Sequence, residues 1–169
     1  MEYTHDYDAP IGRILLAADG QALTGLWFEG QKYFAANLDR DHERKDLPVF
    51  ERTGEWLDLY FSGKRPDFTP PLTLKGTPFQ KEVWEAMLAI PFGQTTTYAK
   101  IAAQIAKNRG LASMSAQAVG SAVAHNPISI IIPCHRVVGS DGSLTGYAGG
   151  LEKKEWLLAM ERQAAGIVI

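Results

Sequence analysis

Ile130-Ile131-Ile132-Pro133-Cys134-His135-Arg136-Val137-Val138 sets the only cysteine of this 169-residue chain beside one of its four histidines. The β-branched run predicts a buried strand, and the proline that follows ends it. The thiol is therefore delivered where ordered core gives way to an irregular turn. An adjacent imidazole can accept the thiol proton and raise the thiolate fraction above that of an ordinary cysteine, whose pKa is about 8.5. Cys134 and His135 are thus a candidate nucleophile and base. A lone cysteine also serves as a small buried hydrophobe, and the surrounding chain has to decide between the two.

Upstream lie three helical patterns. Thr77-Pro78 supplies an N-cap and a proline at the first helical position, and Phe79, Val83, Trp84, Met87 and Leu88 line one face until Pro91. A second helix begins after Thr97, with Tyr98, Ile101, Ala102 and Ile105 on one stripe. A third begins near Ser115 and runs to Ala124, where His125-Asn126-Pro127 breaks it. The last two, joined by the polar segment from Lys107 to Ser115, have the pattern of a helix-turn-helix. The third helix is built almost wholly of small residues, so a DNA groove or a neighbouring helix can approach its backbone closely.

Downstream, Gly139-Ser140-Asp141-Gly142 predicts a turn, and Gly146-Tyr147-Ala148-Gly149-Gly150 a loop able to wrap a ligand. A final helix from about Glu152 is expected to turn Trp156, Leu157 and Met160 inward.

The amino-terminal part reads differently. Strand-like runs at Tyr3 to Tyr7, Arg13 to Ala18 and Leu23 to Phe28 are separated by turns, of which Asp19-Gly20 is a strong hairpin signal. Apolar residues from Val49 to Phe61 recur at helical spacing, and Ser62-Gly63 stops them. A stiff, proline-rich connection follows, with a boundary near Gly76. The expected fold class is α+β: a small amino-terminal antiparallel sheet with a helix (residues 1–75), then a mostly helical domain containing a helix-turn-helix (residues 76–169).

Composition excludes some classes. The apolar content of 46% and charged content of 21% are those of a soluble globular chain. No stretch of about 18 apolar residues exists, and the start lacks a secretory pattern, so a cytoplasmic protein is expected. The net charge of -2 excludes a massively basic nucleic-acid binder, but residues 1–75 carry 9 Lys+Arg and 13 Asp+Glu while residues 76–169 carry 8 and 6. The carboxy-terminal part is mildly basic, compatible with a small phosphate footprint.

Asn126-Pro127, Ile132-Pro133-Cys134-His135-Arg136-Val137, Gly146-Tyr147-Ala148-Gly149-Gly150 and Lys154-Glu155-Trp156-Leu157-Leu158 together closely resemble the methylated-DNA-protein-cysteine methyltransferases, or O6-alkylguanine-DNA alkyltransferases. The resemblance covers Thr77 to Glu161. It implies a monomeric repair protein, without cofactor, membrane or obligate protein partner, that moves an alkyl group from O6 of guanine in double-stranded DNA to its own Cys134 and is spent.

By the same resemblance His135 is the base acting through a water, Glu161 orients the imidazole, and Asn126 is the hinge between recognition helix and active-site strand. Tyr98, Tyr147, Ala148, Gly149 and Gly150 are implied substrate contacts, with Arg136 structural. Gln117, Ala116, Ser121 and Arg109 are expected at the DNA. Two departures stand out: Gln117 replaces an arginine that enters the duplex in the best-known members, and the helix-turn-helix connection is several residues longer than usual. The amino-terminal part has no cysteine, so His5 and His42 are expected at the surface and no metal is expected. Outside the resemblance, a thiol hydrolase and a non-enzymatic DNA-damage sensor are the rival readings; the first would need an oxyanion hole and the second would lack the cysteine.

Overall fold

The computed structural model describes residues 1–166 and divides into two units, Met1–Lys75 with Pro127–Ser129, and Gly76–Asn126 with the chain from Ile130 onward. In the first unit β1 (Glu2–Ala9), β2 (Gly12–Ala18), β3 (Leu23–Phe28) and β4 (His42–Arg44) form a sheet in the order β3-β2-β1-β4. The two hairpins are antiparallel. At the second of them, Asp19 Oδ1 accepts from the backbone N–H groups of Gln21 and Ala22 at 3.0 and 2.9 Å, and Gly20 takes φ +112°. Strand β4 adds in parallel to β1, which the sequence did not predict. It is three polar, exposed residues long and offers no alternation to read.

Strand β3 is buried along its whole length. Its outer edge is covered by Pro71, whose carbonyl accepts from Leu23 N at 2.8 Å, and by Pro127–Ser129, which exchanges bonds of 2.8 and 3.0 Å with Leu26. An apolar edge strand is thereby kept from pairing with other chains. Helix α1 (Pro48–Phe61) buries Val49, Phe50, Trp56, Leu57 and Tyr60 and lies against the sheet. It ends at Gly63, whose φ of +83° only glycine adopts cheaply.

The second unit contains α2 (Pro78–Leu88), β5 (Thr96–Thr97), α3 (Tyr98–Asn108), α4 (Ala116–Ala124), β6 (Val137–Val138) and α5 (Leu151–Ala164). Helix α2 starts at a reciprocal cap: Thr77 Oγ1 accepts from Gln80 N at 3.1 Å and Gln80 Oε1 from Thr77 N at 3.0 Å. Helices α3 and α4 have one-way caps: Thr97 Oγ1 accepts from Lys100 N and Ser115 Oγ from Ala118 N, each at 3.1 Å. Helix α4 packs on α2 and α3 through Val119, Ala122 and Val123, and Trp84 Nε1 donates to Ala122 O at 2.8 Å. Its opposite face, with Ala116, Gln117, Ala118 and Ser121, is exposed.

Three expectations need correction. Ile130 to Ile132 do not form a strand: Ile130 takes φ +70° and the run is a turn. The three side chains are 0–5% exposed, so the β-branched composition reflects burial and not pairing. Leu88 is exposed because α2 ends there, and Ile90 fills the core instead. Trp156 is exposed as well, and the inward stripe of α5 is Lys154, Leu157, Leu158 and Glu161, spaced i, i+3, i+4, i+7. Two charged residues hold buried positions because each has partners there. Among the described residues no helix is long and apolar enough to cross a membrane.

Candidate active site

Pro133 takes φ -81° and ψ +67°, an inverse γ-turn in which Cys134 N donates to Ile132 O at 2.8 Å. A single 3₁₀ turn, Cys134–Arg136, follows. At about three residues per turn, consecutive side chains leave the axis about 120° apart. The three side chains therefore leave the backbone in different directions, and the longer imidazole and guanidinium side chains converge again only at their ends. Asn126, buried at the end of α4, donates from Nδ2 to Ile132 O at 2.8 Å and ties the helix to the residue before the turn.

The imidazole and guanidinium meet at one carboxylate. Glu161 Oε2 lies 2.6 Å from His135 Nε2, and Arg136 donates Nε to Oε1 at 2.8 Å and Nη2 to Oε2 at 3.1 Å. Gly93 N adds a bond to Oε1 at 3.1 Å, and Arg136 Nη1 donates to Ile90 O at 2.8 Å. His135 and Glu161 are both 0% exposed. Burial pushes the Glu161 carboxyl up, but the hydrogen bonds from His135 and Arg136 and the charge of Arg136 outweigh it and hold the group well below the usual carboxylate range. An ionised carboxylate only accepts, so His135 carries its proton on Nε2 and keeps its basic lone pair on Nδ1. Burial holds the imidazole below its ordinary pKa even with Glu161 beside it, so the resting ring is neutral.

The thiol is also neutral at rest. Cys134 is 5% exposed, and burial raises its pKa against the opposing hydrogen bond from Asn126 and the charge of Lys154. The sequence-based expectation of a thiolate fraction raised by the imidazole does not hold for this resting site, because desolvation penalises the charged form more than the neighbours favour it. Proton transfer has to be driven by the encounter with an electrophile.

Lys154 was not among the expected site residues. It is 0% exposed and donates from Nζ to Val137 O and Thr145 O, each at 2.7 Å, and to Gly146 O at 3.4 Å. Its position on the apolar stripe of α5, four residues before Leu158 and seven before Glu161, was the available signal. Thr145 Oγ1 donates to the Tyr98 hydroxyl at 3.2 Å, joining the loop to the first residue of α3. Tyr147, Ala148 and Gly149 are half-buried in that loop. Gly150, at φ +100°, turns the chain into α5, and its N–H donates to Tyr147 O at 2.9 Å.

Gln117, Ala116 and Ser121 share the exposed side of α4. Arg109 is placed elsewhere: its Nη2 and Nε lie 2.7 and 2.8 Å from Glu82 Oε2, and its guanidinium sits over the Phe79 ring. A phosphate contact from Arg109 requires that pair to open. Among the described residues no group of three or more His, Cys, Asp or Glu side chains is placed to hold a metal ion.

Residues 78–163 match the model of the 6-O-methylguanine DNA methyltransferase DNA binding domain, and residues 3–74 that of its ribonuclease-like domain. The methylated-DNA--protein-cysteine methyltransferase of Mycobacterium tuberculosis is 44% identical over 158 residues, covering 94% of this chain and 91% of that one. Its counterpart in Methanosarcina barkeri is 47% identical over 155 residues, covering 91% and 93%. A crystal structure of Mycobacterium tuberculosis OGT in complex with DNA superposes with TM-score 0.83 at 41% identity, covering 96% of this chain and 94% of that one. With both domain models matched in order along almost the whole length, the chain belongs to the 6-O-methylguanine DNA methyltransferase family.

Proposed function

We propose that this protein repairs duplex DNA by taking the alkyl group of O6-alkylguanine onto Cys134, once per molecule. The observation that carries this assignment is the buried thiol flanked by an imidazole whose far nitrogen is held by an ionised, arginine-bound carboxylate. As Cys134 Sγ bonds to the alkyl carbon, the O6–carbon bond breaks and its electron pair stays with guanine, which leaves with a proton. The thiol proton passes across a water to His135 Nδ1, Glu161 stabilises the imidazolium, and the imidazolium then releases that proton through solvent as guanine takes one up. Thiol and alkylguanine become thioether and guanine, so the reaction balances without a cofactor. A thioether is not hydrolysed under these conditions, and the site is spent.

The base must leave the stack to reach a thiol that is 5% exposed, at a cost of about a few kcal/mol. Helix α4 supplies the groove contacts through Gln117 and through Ala116 and Ser121, whose small side chains let the backbone approach the duplex. Tyr98 stands at the start of α3 to crowd the DNA backbone, and Tyr147 with Ala148, Gly149 and Gly150 receives the extruded base. Asn126 keeps the helix and the nucleophile in register. A duplex carrying O6-methylguanine, supplied in excess, adds one methyl group per chain at Cys134 by intact mass and peptide mapping. Repeated turnover, or methyl at another residue, rejects the assignment.

Gln117 stands where the side chain that replaces the flipped base is expected. Its amide offers a donor and an acceptor to the orphaned pyrimidine. Gln117→Arg is expected to strengthen duplex binding and steepen its salt dependence by about one unit of slope, because one more cation releases one more counterion. Gln117→Ala should slow transfer from duplex while sparing reaction with the isolated alkylated base, which needs no extrusion. Equal slowing of both reactions would move the extruding role to another residue.

A further inference from the structure

We propose that Glu82 sets how tightly this protein holds undamaged duplex, by keeping Arg109 off the DNA backbone. The role rests on the reading of α4 as the side that meets DNA. From Ala86 to Ser140 the chain has no Asp or Glu, while it carries Lys100, Lys107, Arg109 and Arg136. A surface that approaches phosphates is expected to be free of acids. Arg136 is engaged inside by Glu161, which leaves Lys100, Lys107 and Arg109, all exposed, on α3 and the turn that follows it. Against that pattern one carboxylate reaches in from α2: Glu82 Oε2 lies 2.7 Å from Nη2 and 2.8 Å from Nε of Arg109.

The end of α3 fixes where Arg109 stands. Gly110 takes φ +68°, and Leu111 N donates to Ala106 O at 2.8 Å, so the helix closes in a left-handed cap directly after Arg109. From there the chain leads into the N-terminus of α4, with Ala116 and Gln117. The guanidinium instead lies against α2, on Glu82 and over the Phe79 ring, 5.4 Å from its centroid. Both members of the pair reach solvent, and a surface pair of this kind is weak enough for a phosphate to compete for the cation. The exchange brings no net stabilisation, because it strips Glu82 of its counter-charge while phosphates approach it. Arg109 therefore adds nothing to the hold on a duplex, which is left to the remaining cations. Such restraint suits a protein spent at a single lesion, since it has to release the undamaged sites that it meets first.

Salt dependence reads the role directly: the slope of log affinity against log salt counts the phosphates neutralised, whatever the shape of the turn. On unmodified duplex, Glu82→Ala should steepen that slope by about one unit, so that the affinity lost between about 50 and about 200 mM salt grows by about 3.5-fold. Arg109→Gln should leave the parent slope unchanged, and should abolish the steepening when combined with Glu82→Ala. Glu85→Ala, which removes a second, exposed carboxylate of α2, should leave the slope at the parent value. A Glu82→Ala slope equal to that of the parent overturns the proposal, as does a steepening that survives in the double variant or is matched by Glu85→Ala. So does a slope made shallower by one unit in Arg109→Gln alone, since Arg109 would then already lie on a phosphate. Gln117→Arg tells this failure from failure of the DNA-facing reading of α4. A slope steepened by Gln117→Arg but not by Glu82→Ala removes the role of Glu82 alone, and a slope steepened by neither removes both.

Discussion

Cys134→Ser takes up no methyl group from an O6-methylguanine duplex, yet binds unmodified duplex with the affinity of the parent. A serine hydroxyl is nearly the size of the thiol but does not ionise near neutral pH, and His135, held neutral by burial, is too weak a base to change that. The reaction loses its nucleophile while the site keeps its shape. The proposed DNA contacts lie on the exposed side of α4, and the substitution is at a residue 5% exposed within a different element. Intact mass after incubation with excess substrate, and fluorescence anisotropy on unmodified duplex, measure the two halves. A methyl group acquired by the serine variant would place the acceptor elsewhere and undo the mechanism.

Glu161→Gln is expected to slow single-turnover transfer by roughly 10²–10⁴-fold, the usual reach of acid–base assistance. The amide cannot stabilise an imidazolium as a carboxylate does, and it leaves the buried Arg136 guanidinium without its counter-charge. Removing one partner of such a buried pair costs about 3–5 kcal/mol, so urea unfolding should show the loss alongside the kinetics. Rates are therefore compared at a temperature where both proteins are folded, with saturating DNA. Equal rates there would reduce Glu161 to a structural anchor for Arg136.

The same carboxylate governs acid stability. Its folded pKa is depressed, so its stabilisation is fully present above the unfolded value of about 4.3 and is lost as pH falls through the folded value. His135 acts in the same direction: its folded pKa is lowered, the unfolded chain binds the proton more readily, and stability falls as pH drops below about 6.5. The urea midpoint of the parent should decline from neutral pH through about pH 4, and Glu161→Gln should flatten the part of that decline below about pH 4.5. A parent midpoint that is constant over this range would contradict the assigned protonation states.

The elements with strong local signals are legible in the amino-acid sequence. The Asp19-Gly20 hairpin, the helix from Pro48 to Phe61 and the Thr77-Pro78 start depend on turn chemistry, periodicity and caps that act within a few residues. Strand β4 is not legible there, because its three polar residues are ordered by the edge of β1 and by nothing in their own pattern. Apolar runs mislead in two places. Ile130 to Ile132 are β-branched because they are buried, and Trp156 is expected inside because it is large and aromatic, although the stripe it would interrupt carries Lys154 and Glu161.

For the site, the amino-acid sequence by itself determined the chemistry available: one thiol, an imidazole and a guanidinium next to it, and a motif that names the family. The tertiary structure alone decided how those groups are charged. Adjacent residues in a 3₁₀ turn diverge, so Cys134 and His135 are related through what surrounds them and not through their adjacency in the chain. Glu161, twenty-six residues beyond His135, sets the imidazole tautomer. Lys154 enters the site only because α5 packs a charged side chain against three backbone carbonyls. Protonation depends on burial and on partners distant in sequence, and both exist only once the chain has folded.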